Sequence, residues 1–156
     1  MKNTHILLVA LLVALLAGPV MAANTVQIDA TVPPTITATA IGDIPVPWAL
    51  VKGVNNKVPS SPTLIFTATS DVPAVATITV TNGGKLFSAS RGIALTNPLH
   101  VTGSGWDVDL TGSQVMATMD GNTGASKTFD LFQNVLLTDK SANDYQAVLT
   151  LEVVAV

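Results

Sequence analysis

The chain has no cysteine, little charge and few aromatics, and each shortage removes a class of function. Without cysteine there is no disulfide framework, no thiol chemistry, no lipid-modified N-terminal cysteine and no thiolate zinc site. Charged residues make up 11% of the sequence, about half the usual share, and acids outnumber bases. That balance excludes the basic face nucleic acid requires and the polybasic patch that anionic lipid requires. Beyond the first 22 residues there is one histidine (His100), one arginine (Arg91), one glutamate (Glu152) and one tyrosine (Tyr145).

So thin an inventory bears directly on catalysis, which needs a nucleophile, a base or a metal in a defined cluster. A Ser-His-Asp triad could form only around His100, which sits in the alternating run Leu99-His100-Val101 and points away from its apolar neighbours. Gly103-Ser104-Gly105 is a short loop and no G-x-S-x-G elbow exists. One histidine is too few for a zinc centre. Asp107 and Asp109 share one strand face and read as its solvent side, as paired acids commonly do. Asp120-Gly121-Asn122-Thr123-Gly124 begins like a calcium loop, but Leu131 stands where the twelfth-position acid belongs. The expectation is a protein that is not an enzyme and holds no metal or cofactor.

What is present starts with a leader. Lys2 precedes an unbroken apolar run, Ile6–Ala17, which Gly18-Pro19 ends, and Val20-Met21-Ala22 offers a signal peptidase site. As a helix twelve residues rise only about 18 Å, too short to span a hydrocarbon core of roughly 30 Å. Residues 1–22 are therefore expected to be a signal peptide cleaved after Ala22, or alternatively after Ala23. Removing 22 residues from 156 leaves 134, one domain's length. Lys2 leaves as well, so six Lys and Arg then face ten Asp and Glu, a formal charge of −4.

Those 134 residues are rich in Val, Thr and Ile and punctuated by Gly and Pro, a strand-and-turn composition. In Thr25–Val32, Val26, Ile28, Ala30 and Val32 point one way, and Pro33-Pro34 ends the run before Thr35–Ile41 resumes it. Gly42–Pro62 reads as a long connection with a short extended piece around Trp48–Val51. Thr63–Thr69 and Ala74–Thr81 read as a pair joined by Ser70-Asp71-Val72-Pro73, and Asn82-Gly83-Gly84 as a hairpin turn into Lys85–Ala89. Further strands are expected at Ile93–Val101, interrupted by Pro98, and at Trp106–Leu110, Gln114–Met119, Lys127–Phe132 and Val135–Thr138. The last, Tyr145–Val156, carries Tyr145, Ala147, Leu149, Leu151 and Val153 on one face and is expected at the centre of a sheet. Eight to ten antiparallel strands at this spacing predict an all-β, Ig-like sandwich over residues 23–156, with a closed barrel as the alternative.

Three aromatics have expected roles. Trp106 shares the apolar phase of Val108 and Leu110 and is expected in the core; Tyr145, after Asp139-Lys-Ser-Ala-Asn-Asp144, fits a tyrosine corner whose phenol bonds upstream backbone. Trp48, between Pro47 and an irregular loop, is the candidate for stacking against a glycan or other ligand.

Two segments resemble a known family. Gly103-Ser-Gly-Trp106-Asp-Val-Asp-Leu110 resembles the G-x-G-W segment that starts a strand in WxL-type domains and related prokaryotic secreted sandwiches. Tyr145-Gln-Ala-Val-Leu149-Thr-Leu-Glu-Val153 is similar to their Tyr-led last strand. The resemblance implies an exported, non-catalytic protein held non-covalently at the cell surface. Val108 stands where the motif has Leu, and Leu-Glu-Val where a second Trp-x-Leu belongs, so peptidoglycan binding does not carry over. With no lipid-anchor cysteine, sorting motif or apolar tail, retention at the surface is expected to come from other surface proteins or self-association, with no membrane contact after the leader is removed. Val26, Ile28, Ala30 and Val32 are the candidate strand for pairing with a neighbouring subunit's sheet edge, the alternative being pairing within its own domain. A ligand-binding module built on Trp48 is the competing expectation.

Overall fold

The computed structural model describes residues 30–156, and the chain divides at Pro33, so that the folded body is Pro33–Val156. The expected leader 1–22, its cleavage site at Ala22, and Val26 and Ile28 of the pairing strand lie outside the described residues. Ala30 and Val32 are exposed and belong to no strand.

The body is an antiparallel β-sandwich. Its strands are β1 (Ile36–Gly42), β2 (Val54–Lys57), β3 (Leu64–Ser70), β4 (Pro73–Val80), β5 (Phe87–Ser88), β6 (Ile93–Ala94), β7 (Leu99–Gly103), β8 (Trp106–Asp109), β9 (Gln114–Asp120), β10 (Thr123–Val135), β11 (Tyr145–Gln146) and β12 (Leu149–Ala155). The large sheet runs β1-β3-β10-β7-β8, with β2 also laddered to the C-terminal half of β10. The second sheet is β12-β4-β9, and β11-β5-β6 forms a small third one. Alternation explains the core. Leu64, Phe66 and Ala68 of β3, Ala74, Ala76 and Ile78 of β4, and Phe129, Leu131 and Val135 of β10 all turn inward and are buried.

The strand periods are as the sequence indicates, but several partnerships are not. β3 and β4 are not a hairpin: β3 pairs with β1 and β10, β4 with β12 and β9, and Ser70–Pro73 carries the chain from one sheet to the other. Burial forces this, because both strands present an apolar face to the same interior and one sheet cannot cover itself. Asn82-Gly83 does hold positive φ, yet the 3-10 turn Thr81–Gly84 likewise joins two sheets. Lys127–Phe132 and Val135–Thr138 are not two strands; β10 runs unbroken for 13 residues and is the centre of the large sheet. The final strand is an edge among the described residues: β12 pairs only with β4, and Val148, just before it, and Val154 on its outer face are more than half exposed. Trp48–Val51 joins no ladder, since Pro45 and Pro47 remove backbone donors nearby, whereas β2 forms later in the same stretch.

Candidate functional site

A cleft of about 1020 Å³ opens on one side of the sandwich, between the segment that follows β1 and the segment that precedes β12. Its floor is the protein's own core: Leu86, Leu95, Leu99, Leu131 and Val135 line it although each is almost fully buried. Leu86 and Leu95 flank β5 and β6, Leu99 lies on β7, and Leu131 and Val135 on β10.

The first wall is Ile44–Lys52. Ile44, Trp48 and Leu50 pack inward against the core while Val46, between two prolines, is exposed. Asn56 on β2 holds this wall: its amide nitrogen donates to the carbonyls of Val51 (3.0 Å), Val54 (3.0 Å) and Gln133 (3.2 Å), and its oxygen accepts from the Val51 N–H at 2.7 Å. Trp48, the expected ligand residue, thus lines the cleft as a half-buried wall residue.

The second wall runs from Lys140 to Leu149. Two aspartates fix it. Asp139 accepts the Thr96 N–H (3.0 Å), the Thr96 hydroxyl (2.6 Å) and the Leu136 N–H (2.7 Å). Asp144 accepts the Ser88 hydroxyl and, at 2.9 Å, the Ser90 N–H. Burial of Asp139 opposes its ionisation, but Thr96, the Leu136 N–H and the nearby Lys52 outweigh burial and hold its carboxyl below the usual range. Ser88, then Ser90, do the same for Asp144. The Tyr145 hydroxyl donates to the Lys140 carbonyl at 2.7 Å, upstream backbone as a tyrosine corner requires, and partial burial raises its pKa. Arg91 donates to the Ser141 carbonyl.

Two sheet edges have no further ladder partner among the described residues, and the end of β1 and the start of β12 lie next to the cleft. Among the described residues β1 has no neighbour beyond β3 and β12 none beyond β4, and the two approach each other without forming a ladder. Ala38, Ala40 and Gly42 of β1 are exposed even though their ladder partners Ala68, Phe66 and Leu64 are buried. The second sheet therefore stops short of covering β1.

The remaining candidates lie elsewhere. Trp106 is half-buried, 5.1 Å from the Phe129 ring, with the Lys127 ammonium 5.7 Å from its own ring centre. His100 faces outward, as expected, but the β7–β8 hairpin sets it between two acids: Nδ1 is 2.9 Å from Asp109 and Nε2 2.8 Å from Asp107. The two carboxylates sit on opposite ring nitrogens, so their oxygens do not converge on one point, and among the described residues no group of three or more His, Cys, Asp or Glu is placed to hold a metal ion. On the same face Lys57 pairs with Asp130 at 2.8 Å, which holds the Asp130 carboxyl below its usual range. Asp120–Gly124 is a tight turn with positive φ at Gly121 and Asn122.

Sequence reasoning singled out Trp48 and Tyr145 but not the cleft they line, nor Asn56 and Asp144 that hold its walls. Its only available signal was indirect: a proline-rich stretch that cannot ladder, opposite a chain end rich in apolar residues. No protein-family model matches the chain, and no curated protein matches it.

Proposed function

We propose that the protein is a non-catalytic, secreted structural subunit of a cell-surface coat or filament, and that copies join by strand pairing. The observation that carries this reading is the cleft, floored by core aliphatic side chains, next to the edge of β12, which has no ladder partner beyond β4 among the described residues. An open sheet edge is a template for pairing, and a cleft with an aliphatic floor fits a strand with alternating apolar side chains. The chain carries one: Val26, Ile28, Ala30 and Val32 alternate with Gln27, Asp29 and Thr31. Burying each Val or Ile contributes roughly 1.5–3 kcal/mol, and the free edge of β12 supplies backbone partners.

Topology supports a head-to-tail order. Ile36 and Ala155 lie at the sandwich end that holds the Ser70–Pro73 crossing, while Gly42 and Leu149 lie at the opposite end, beside the cleft. Residues 25–32 join their own body next to β1's start. A neighbour's segment reaching in from the cleft end runs antiparallel to β12, and β1 and β12 part without breaking ladder bonds.

Ile28→Asp in the mature chain tests this. The variant is expected to remain a folded monomer under conditions in which the parent forms long assemblies by microscopy and size-exclusion chromatography. Assemblies that survive the substitution contradict strand exchange. The competing reading, a glycan- or ligand-binding module, draws on Trp48 at the cleft wall; glycan-array binding abolished by Trp48→Ala, with no assembly, decides for it. The aliphatic floor favours a strand over a sugar, which needs polar partners.

A further inference from the structure

We infer that the inward face of β1 is the seat on which the incoming strand's apolar row packs, and that Ala38, Ala40 and Gly42 decide which strand fits. This rests on the strand-exchange reading above and names the residues that make it selective. Ala38, Ala40 and Gly42 stand directly opposite Ala68, Phe66 and Leu64 of β3, so all six point to the same side of the large sheet. The β3 residues are buried there, whereas the β1 residues are exposed. The outer face of the pair is marked independently, by a 2.5 Å hydrogen bond between the Thr37 and Thr69 hydroxyls. The second sheet has a matching shortfall. Leu151 and Val153 of β12 stand opposite the buried Ile78 and Ala76 of β4, yet are themselves only half-buried. The two layers thus cover each other over β3 and β4 and thin out over β1 and β12.

One more strand on the edge of β12 supplies the missing cover. It lies about 4.8 Å beyond β12 and faces β1 across the usual sheet separation of about 10 Å. Alanine and glycine fill little of that depth, so the facing row has to be long. The segment 25–32 offers such a row in Val26, Ile28 and Val32, at the same two-residue interval as the seat, and leaves Gln27, Asp29 and Thr31 to the solvent side. The occupant comes from a second copy. In the chain's own segment Ala30, Thr31 and Val32 are exposed, Val32 to 89%, and join no ladder. Thr35 is tied to Asp71 at the crossing end, its N–H donating to Asp71 Oδ1 at 2.8 Å and its carbonyl accepting the Asp71 N–H at 3.2 Å. A segment folding back from that point runs parallel to β12. A neighbour's segment arriving from the cleft end runs antiparallel, as β4 already does, and antiparallel ladders are the slightly more stable kind.

The test uses the full mature chain carrying Ile28→Asp as recipient and a capped peptide of residues 24–33 as the strand. Adding Ala40→Leu to the recipient is expected to weaken peptide binding at least about tenfold, the scale of overpacking at a closed contact. Thr39→Leu, on the opposite face of the same strand, is expected to leave binding unchanged to within about twofold. Both positions are exposed, so the recipient's melting temperature should hold in each case. Should Ala40→Leu fail to fold, Ala38→Leu repeats the test two residues along the seat. Ile28→Ala in the peptide should weaken binding to the parent recipient but cost little further with Ala40→Leu or Ala38→Leu, a coupling expected of residues in contact. A parent recipient that binds no peptide overturns the strand-exchange reading and this inference with it. Equal affinities of the parent and Ala40→Leu recipients, or losses that simply add between recipient and peptide, overturn this inference alone.

Discussion

Asp139, which the sequence marks only as the start of the segment ahead of Tyr145, is a structural anchor in the fold. It is almost fully buried, and three protein donors satisfy its two oxygens. Because its folded pKa lies below the unfolded value, its contribution to stability is complete above the ordinary carboxylate range and is lost as pH falls through the folded value. Asp139→Asn is therefore expected to cost about 1–3 kcal/mol at pH 7 by denaturant unfolding. The gap from the parent should narrow below about pH 4, where the parent's carboxyl also gains its proton. A gap that widens on acidification contradicts the sign of the shift. None of this was legible beforehand, since Thr96 and Asp139 are 43 residues apart and only the fold brings them together. The pairing of His100 with Asp109 was nearer to legible. Gly103, Ser104 and Gly105 all hold positive φ, and a tight turn there sets residue 100 opposite 109.

At the level of elements, alternation is a reliable guide to faces and a poor one to partners. The inward sets of β3, β4 and β12 follow directly from the sequence, as do the breaks at Pro98 and at Asn82-Gly83. What alternation cannot settle is whether two consecutive strands share a sheet, because a hairpin and a crossing expose the same period. The centrality of the last strand was misjudged for a related reason. Val148 and Val154 look like a second buried face, but they stand on an open one. The Thr81–Gly84 turn shows what makes a crossing specific. Gly84 holds φ +78°, and a Cβ there would lie 1.5 Å from the Leu110 carbonyl oxygen. Gly84→Ala is thus expected to destabilise the protein by at least about 2 kcal/mol, through both strain and displacement of the Leu110 backbone. An unchanged midpoint in a thermal melt would show that the contact is not close.

For the molecule as a whole, the all-β sandwich was legible from composition and spacing, whereas the cleft was not. A groove is an absence of cover, and no residue pattern records it. It becomes visible only when Ile44–Lys52 and Lys140–Leu149 are found facing each other over core side chains of β7 and β10. The segment that fits it was legible on its own, because strict alternation over 25–32 needs only local sequence. Strand exchange requires one copy's segment to complete another copy's sandwich. Amide hydrogen exchange on assembled parent protein and on the Ile28→Asp monomer tests it most directly. Under strand exchange the alternate β12 amides pointing away from β4 are protected in the assembly and exchange freely in the monomer; equal exchange at those amides in the two states would contradict it.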